Sequence, residues 1–431
     1  MRRRWRWWLA GAALGAALMF AWTWPAQDRS VAGEPAAALR PSLLSSLLEP
    51  APAQQPAPRP EAMLPVPAHG ADEVQLCGGA WFKLQADGTP DRDDLMRAAR
   101  LPEARQQTIA ALRAHPDALS RATGLWLEMM QSSDRKAASL TAAAGCDTAD
   151  CPIPPQLAPN VDPEVAGWRN SLARMALSSN DPRVYVLALH ACAGGLREAG
   201  ACQLLSVAQW ARLDPDNAAP WFDMLAAATA ASDPAAQDEA LHHIATARRS
   251  DQRVLAMPAA VLAAAPSDEA STQAAVLLVA EAIGFQAAVA VPGYGPVFTL
   301  CKGPALLDAN RRQTCSAIAE TMVERSDTLL ERGIGRKIGR EVGWPADRFD
   351  RIGGEISDYQ SHALAAFDLT SAACAPLWRF LDFVRRNARI GETGALREWV
   401  AASGKAPADF IRRERATQAQ QRQQAASAVR P

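Results

Sequence analysis

Four Asp-Pro dipeptides occur in the middle of this 431-residue sequence, at intervals long enough for a helix between one and the next. They occur at Asp162-Pro163, Asp181-Pro182, Asp214-Pro215 and Asp233-Pro234, spaced 19, 33 and 19 residues apart. Aspartate accepts hydrogen bonds from unpaired amides at a helix N-terminus, and proline suits the first turn because its missing N–H has no partner there. Each dipeptide therefore predicts a helix start or the turn just before one, and the spacing predicts stacked helices of similar length.

Composition favours helices over sheets in the folded part. Thirteen tryptophans against three tyrosines and ten phenylalanines suit closely packed helices with large side chains between them. The apolar run 274–291 predicts a buried core helix, because Glu281 and Gln286 interrupt it and argue against a membrane span. A short hairpin or irregular cap is expected near Gly78 and Gly79, which break the helical pattern. The fold class we predict is all-α.

The stretch "RLDPDNAAPWFDML", residues 212–225, resembles the junction between two tetratricopeptide repeats. Large and small residues fall where that family places them, at Trp221 in the first helix and at Ala240, Ile244 and Ala247 in the second. The likeness covers about residues 181–250. It implies a helical hairpin array, or α-solenoid, whose groove binds protein partners through helices such as the one carrying Trp221 and Leu225. An irregular helical bundle is the alternative.

The first 24 residues, "MRRRWRWWLAGAALGAALMFAWTW", predict a membrane anchor or an export signal. Four arginines precede an uncharged apolar run of 18 residues that begins at Trp7 and ends at Trp24. Tryptophan at both ends favours an uncleaved anchor spanning the inner membrane through residues 7–24, whereas a signal peptide cleaved near residues 30–32 is the alternative. The arginines would keep the N-terminus in the cytoplasm, so the rest of the chain is expected in the periplasm.

Proline and apolar patterning divide the rest of the chain. Residues 25–70 hold ten of the 31 prolines and predict a semi-extended spacer. Within this spacer, one face of a short helix would carry Leu43, Leu44, Leu47 and Leu48, which suits a transient helix or, alternatively, a docking peptide. Residues 71–415 predict the helical region, and residues 416–431, without an apolar period, predict a disordered tail.

Eight cysteines follow the apolar run, an even number that predicts disulfides in an oxidising compartment. Six of the cysteines are close in sequence and flank short polar or glycine-containing loops. The predicted pairs are therefore Cys146 with Cys151, Cys192 with Cys202, and Cys301 with Cys315. Elimination leaves Cys77 and Cys374, whose bond would tie the start of the folded part to its last third. Zinc is the alternative, but no spacing is CxxC and His190 is the only nearby imidazole.

The best enzymatic candidate in the sequence is "GGEISDYQSH", residues 353–362. Helical spacing places four groups capable of acid-base chemistry on one side of a helix: Glu355, Asp358, Tyr359 and His362. Such groups would suit acid-base catalysis on a glycan. A solvated helix face is the alternative interpretation. No nucleotide loop or nucleophile motif accompanies the cluster, and a formal charge of −1 lacks the basic footprint of a nucleic-acid-binding protein. We expect no cofactor and no metal ion.

Three glycines recur every four residues beside an apolar stripe, at Gly335, Gly339 and Gly343. Glycine inside a soluble helix costs about 1 kcal/mol relative to alanine, so three in register predict the close approach of another helix. That helix is expected within the chain, and a homodimer interface is the alternative.

These patterns predict a membrane-anchored periplasmic protein whose disulfide-stapled helical array binds protein partners in the cell envelope. A cell-envelope hydrolase acting through Glu355, Asp358 and His362 is one alternative. A structural homodimer formed through the three glycines is the other.

Overall fold

The computed structural model describes residues 73–77, 80–83, 92–143, 163–193, 200–289, 292–366 and 374–428. Sixteen α-helices run through these residues: α1 Arg92–Ala98, α2 Leu101–Ala114, α3 Ala118–Ala143, α4 Pro163–Leu177, α5 Pro182–Ala191, α6 Val207–Leu213, α7 Ala219–Ala230, α8 Pro234–Thr246, α9 Ala256–Ala264, α10 Thr272–Val289, α11 Gly295–Leu300, α12 Ala309–Glu324, α13 Leu329–Glu341, α14 Ala346–Ala366, α15 Cys374–Ala402 and α16 Pro407–Ala428. The all-α prediction is confirmed.

A two-stranded antiparallel hairpin precedes the helices, as expected from the glycine-rich opening. Its strands are β1 Glu73–Gln75 and β2 Trp81–Lys83, and Val74 lies opposite Phe82. The predicted anchor, the proline-rich spacer and the Cys146 to Cys151 pair lie outside the described residues. Among the helices that are described, none is long and apolar enough to cross a membrane.

Local capping explains why the helices begin where they do. Asp181 and Asp233 occupy N-cap positions, and their carboxylates accept hydrogen bonds from the amides of Arg183 and Ala236. Helix α4 begins at Pro163, the proline of the first dipeptide. Asp214 instead ends α6 and opens the turn before α7, which is the other outcome expected of an Asp-Pro dipeptide.

Two large apolar clusters form most of the core. In the first, Trp126 of α3 is fully buried and meets the ring of Phe285 edge-on at 4.1 Å between centroids. Helix α10 supplies this cluster with residues such as Leu278, so the core-helix prediction is confirmed. The second cluster joins α7, α8, α11, α12 and α13 through side chains that include Phe222 and Ile318. Burial of each such side chain stabilises the folded state by about 1.5–3 kcal/mol relative to leaving that side chain exposed.

The helices do not pack only against their neighbours in sequence. Consecutive pairs such as α2 with α3, α7 with α8 and α12 with α13 form antiparallel hairpins, and α8 also packs against α12. Helices α9 and α10 fold back onto α2, and α15 crosses both α9 and α10. A solenoid has contacts only between adjacent repeats, so these contacts between helices distant in sequence go beyond those of a simple solenoid.

Disulfide pairing follows the sequence prediction at every described cysteine. Cys192 lies at bonding distance from Cys202 and Cys301 from Cys315, each bond closing a short connection. The elimination pair is also present, because Cys77 bonds Cys374 across 297 residues of sequence. That bond fastens the β-hairpin to the first turn of α15.

The C-terminal boundary differs from the prediction. Helix α16 continues through Ala416 to Ala428, where a disordered tail was expected from the missing apolar period. Ion pairs hold its first half on α14, with Arg413 bound to Asp358 and Arg415 bound to Asp350. Alanine, glutamine and arginine favour helix, so an anchored first half continues as helix without needing an apolar face.

Candidate functional site

Three connections between helices and the kink within α15 lie side by side, and we call residues 214–218, 248–253, 325–328 and 391–393 the loop junction. Two isolated parallel bridges join them, Asn217 with Arg249 and Ser250 with Ser326. The amide of Glu392 then donates to the carbonyl of Asp327 at 2.7 Å. Short strand-like backbone pairing thus connects hairpins that are far apart in sequence.

Asn217, in the resemblance stretch, is the polar centre of the first two connections. Its side chain is fully buried and makes four hydrogen bonds. The amide nitrogen donates to the Asp214 carboxylate at 2.9 Å and to the Asp251 carbonyl at 3.0 Å, while the amide oxygen accepts from the backbone amides of Ala219 and Asp251. Asp214 is itself buried and forms ion pairs with Arg249 and Arg253. Satisfied groups of this kind hold a turn in one conformation.

A repeated tripeptide pairs the second connection of the junction with the third. Arg-Ser-Asp occurs at 249–251 and again at 325–327, and the structure places the two copies in register. The amide of Ser250 donates to the Arg325 carbonyl at 2.9 Å, and the amide of Asp327 donates back to Ser250 at 2.9 Å. Our reading of the sequence missed this site, although the repeated tripeptide was the signal for it.

Three carboxyl groups here have raised pKa values: Asp327 and Glu392 in the loop junction, and Glu331, which lies beside it in the first turn of α13. Burial raises the pKa of Glu331 to about 7, against the opposing effect of hydrogen bonds from Ser250 and Ser326. Burial also raises the pKa of Asp327 well above its usual value, and the neighbouring Asp251 carboxyl raises it further. The pKa of Glu392 is raised by burial as well. The folded state therefore favours the protonated form of these three carboxyls more than the unfolded state does.

A glycine permits the kink within α15 to approach so closely. Gly391 interrupts α15 with φ +73°, a conformation that residues with a Cβ rarely adopt. A Cβ at this position would lie 3.0 Å from the Cα of Asp327. The kink lets Glu392 enter the junction, where its carboxylate accepts from the amide of Leu329 at 2.9 Å.

The predicted acid-base cluster lies on α14, and its carboxylates are engaged in ion pairs. Glu355 binds Arg332 at 2.8 Å and Arg351 at 2.7 Å. Asp358 binds Lys405 at 2.7 Å and Arg413 at 2.5 Å. These contacts fasten α14 to its neighbours.

Electrostatics and stacking complete the description of this cluster. Burial raises the pKa of Asp358, but hydrogen bonds from Lys405 and Trp399 and the nearby cations outweigh it, so its pKa lies below the usual value. Tyr359 is buried, and burial raises its pKa. His362 stacks on Trp399 with centroids 3.8 Å apart. A general acid needs a pKa near the working pH, and the lowered pKa of Asp358 is opposite to that requirement.

The two residues predicted to line a binding groove are placed differently. Trp221 is half-buried and stacks on His243 with centroids 3.7 Å apart and an interplanar angle of 10°. Leu225 is fully buried in the core beside Phe222, so its side chain is not available to a partner. The prediction that Leu225 contacts a partner is therefore wrong, because helix α7 turns that residue inward.

The three glycines meet this chain's own atoms or end a helix. A Cβ on Gly335 would lie 2.6 Å from the Cβ of Met322 in α12, and one on Gly339 would overlap the ring of Trp344. Gly343 follows the end of α13 with φ +93°, as expected of a helix-terminating glycine, and is not part of the packed stripe. The expected close approach is internal at Gly335 and Gly339.

Alanine at Gly335 is expected to lower the free energy of unfolding by about 1–3 kcal/mol, because the added methyl forces α13 away from α12. Gly333→Ala provides a matched control on the same helix, where a Cβ meets nothing within 4 Å and should stabilise by up to about 1 kcal/mol. Urea unfolding of both variants measures the difference. Equal effects at the two positions would contradict close packing at Gly335.

Neither a metal site among the described residues nor a known relative adds to this description of the chain. In the part of the chain that the structure describes, no group of three or more histidine, cysteine, aspartate or glutamate side chains is placed to hold a metal ion. Comparison of the chain with protein-family models, with curated proteins and with solved structures found no match in any of the three.

Proposed function

We propose that this protein is a scaffold of the bacterial cell envelope, anchored in the inner membrane by residues 7–24, which binds a protein partner in the periplasm. Three disulfides among the described residues support an oxidising compartment. The basic and apolar first segment supports export or anchoring.

We further propose that α7 and α8 form a tetratricopeptide-like unit within a helical array, and that α6 is the second helix of the unit before it. The α7 and α8 helices pack as an antiparallel hairpin, and α12 packs against α8 as the next layer. Ala240 and Ile244 are buried between the helices, which supports the small and large positions assigned from the resemblance.

The observation that carries the binding proposal is the Trp221 stack on His243. Burial and the neighbouring His242 lower the pKa of His243, so its imidazole is uncharged at neutral pH. The pair therefore forms a flat, partly exposed aromatic surface on the α7–α8 hairpin. Tryptophan is enriched among the residues that dominate binding energy at protein interfaces.

Crosslinking of the full-length protein in its native membrane, followed by mass spectrometry, tests this function. We expect capture of a defined envelope protein, and we expect Trp221→Ala to reduce that capture at least tenfold because the central aromatic contact is lost. Leu177→Ala is the matched control, since it removes an exposed apolar side chain from the end of α4.

Two further measurements make the result decisive. Thermal unfolding of Trp221→Ala establishes that the variant folds, and His243→Ala removes the other half of the stack while keeping the indole. Undiminished capture by both folded variants would contradict the proposed surface. Recovery of this chain alone, crosslinked to itself, would contradict the scaffold function and favour the homodimer.

A further inference from the structure

A cleft with an exposed tryptophan lies between α9, α10 and α15. Its volume is about 240 Å³. Its apolar lining includes Leu262 and Leu381, and Trp378 stands at its edge with 51% of its surface exposed. Large exposed apolar side chains beside a cleft mark binding surfaces more often than scattered ones do.

The two charged side chains that line the cleft, Asp268 and Arg385, differ in whether they have a partner. Asp268 caps a short 3-10 turn, where its carboxylate accepts hydrogen bonds from the amide and hydroxyl of Ser271. Arg385 is exposed and forms no ion pair with any part of the chain that the structure describes. An apolar ligand with an acidic end would therefore match both the lining and the charge of this cleft.

The described chain begins beside this cleft. Leu76 follows β1 and packs in a small cluster that also touches Leu277 of α10. Cys77 is bonded to Cys374, with the two Cα atoms 4.7 Å apart. Trp378 lies one helical turn after Cys374, about 6 Å along the axis. Cys77, near the start of the described residues, therefore lies close to Trp378.

The residues that precede β1 include a sequence with the complementary chemistry. The segment "PSLLSSLLEP", residues 41–50, carries Leu43, Leu44, Leu47 and Leu48, followed by Glu49. In a helix the four leucines share one face, which is the pattern of helices that bind apolar grooves. Twenty-four residues, 49–72, separate the leucines from β1, and a proline-rich chain of that length extends up to about 74 Å, so the segment is within reach of the cleft.

We propose that residues 41–50, the leucine segment, bind in the Trp378 cleft of the same chain. The leucine face covers Trp378 and the apolar floor, and Glu49 pairs with Arg385. Tethering raises the effective concentration of the segment to the millimolar range, so modest apolar contact suffices for occupancy. Binding shortens the spacer and holds the helical array closer to the membrane-proximal residues.

Site-specific photocrosslinking in the full-length protein tests this contact. In the variant Leu47→p-benzoylphenylalanine, irradiation is expected to join residue 47 to peptides containing residues 262–275 or Trp378, in a product with the mass of one chain. The same photoprobe at Gln54, outside the leucine segment, is the matched control and should give at least fivefold less of this product.

Two surface variants make the outcome specific. Trp378→Ala, an exposed position at which folding is checked by circular dichroism, should reduce the intramolecular product at least fivefold. Arg385→Glu should reduce it about threefold, and Glu49→Arg in the same chain should restore it. A product with the mass of two chains, a product with another protein, or indifference to Trp378→Ala would each overturn the proposal.

Discussion

Replacing both Cys77 and Cys374 with alanine is expected to lower the free energy of unfolding by about 5 kcal/mol. Their bond joins residues separated by 297 positions, and in the chain-entropy treatment a longer closed loop restricts the unfolded chain more. Domains are commonly stable by only about 5–15 kcal/mol, so this loss should bring the protein close to unfolding at body temperature. Urea unfolding of the purified variant under non-reducing conditions measures the change.

The short disulfides provide the comparison for that experiment. The bond of Cys192 to Cys202 spans only 10 positions, and its removal by alanine substitution should cost about 3 kcal/mol. Both variants delete two sulfurs, so the difference between them reports mainly the loop that is closed. Equal losses would contradict a dominant contribution from unfolded-chain entropy at the long bond.

Glu331→Gln is expected to remove a pH dependence of about 3 kcal/mol from the stability of this protein. The folded state raises the pKa of Glu331 from 4.5 to about 7, so the folded state binds a proton more tightly than the unfolded state. The contribution of Glu331 proton binding to the free energy of unfolding is complete below pH 4.5 and is lost as the pH rises through 7. Relative to wild type, the glutamine variant should therefore gain about 3 kcal/mol between pH 4 and pH 8.

Glutamine keeps the hydrogen-bonding roles of a protonated carboxyl toward Ser250 and Ser326, so the fold of the junction is retained. Glu398→Gln removes a carboxyl that is exposed on α15 and controls for the change in net charge. Chemical unfolding at pH 4, 5, 6, 7 and 8 gives the five points required. Parallel curves for wild type and Glu331→Gln would contradict proton binding by this buried group.

Local signals in the sequence anticipated much of the secondary structure and the crosslinks. Asp181 and Asp233 begin helices because capping depends only on residues within the first turn. Cys192 and Cys301 find their partners because short loops hold neighbouring cysteines together, and this left Cys77 for Cys374. Such features require no knowledge of what covers each helix.

Tertiary structure alone decided what the candidate site residues do. Helical spacing correctly placed Glu355 and Asp358 on α14, but it did not reveal their partners Arg332, Lys405 and Arg413, which come from other helices. Leu225 faces the core for the same reason, because periodicity shows which residues share a face and not what covers that face.

The sequence by itself therefore determined the helical class, the capped starts of helices such as α5 and α8, and the three described disulfide pairs, since these depend on local hydrogen bonding and on short loops. Only the tertiary structure brought the two Arg-Ser-Asp segments into register and packed α9, α10 and α15 together. Those contacts join residues far apart in the chain, and their free energy comes from burial and long-range pairing that no local pattern records.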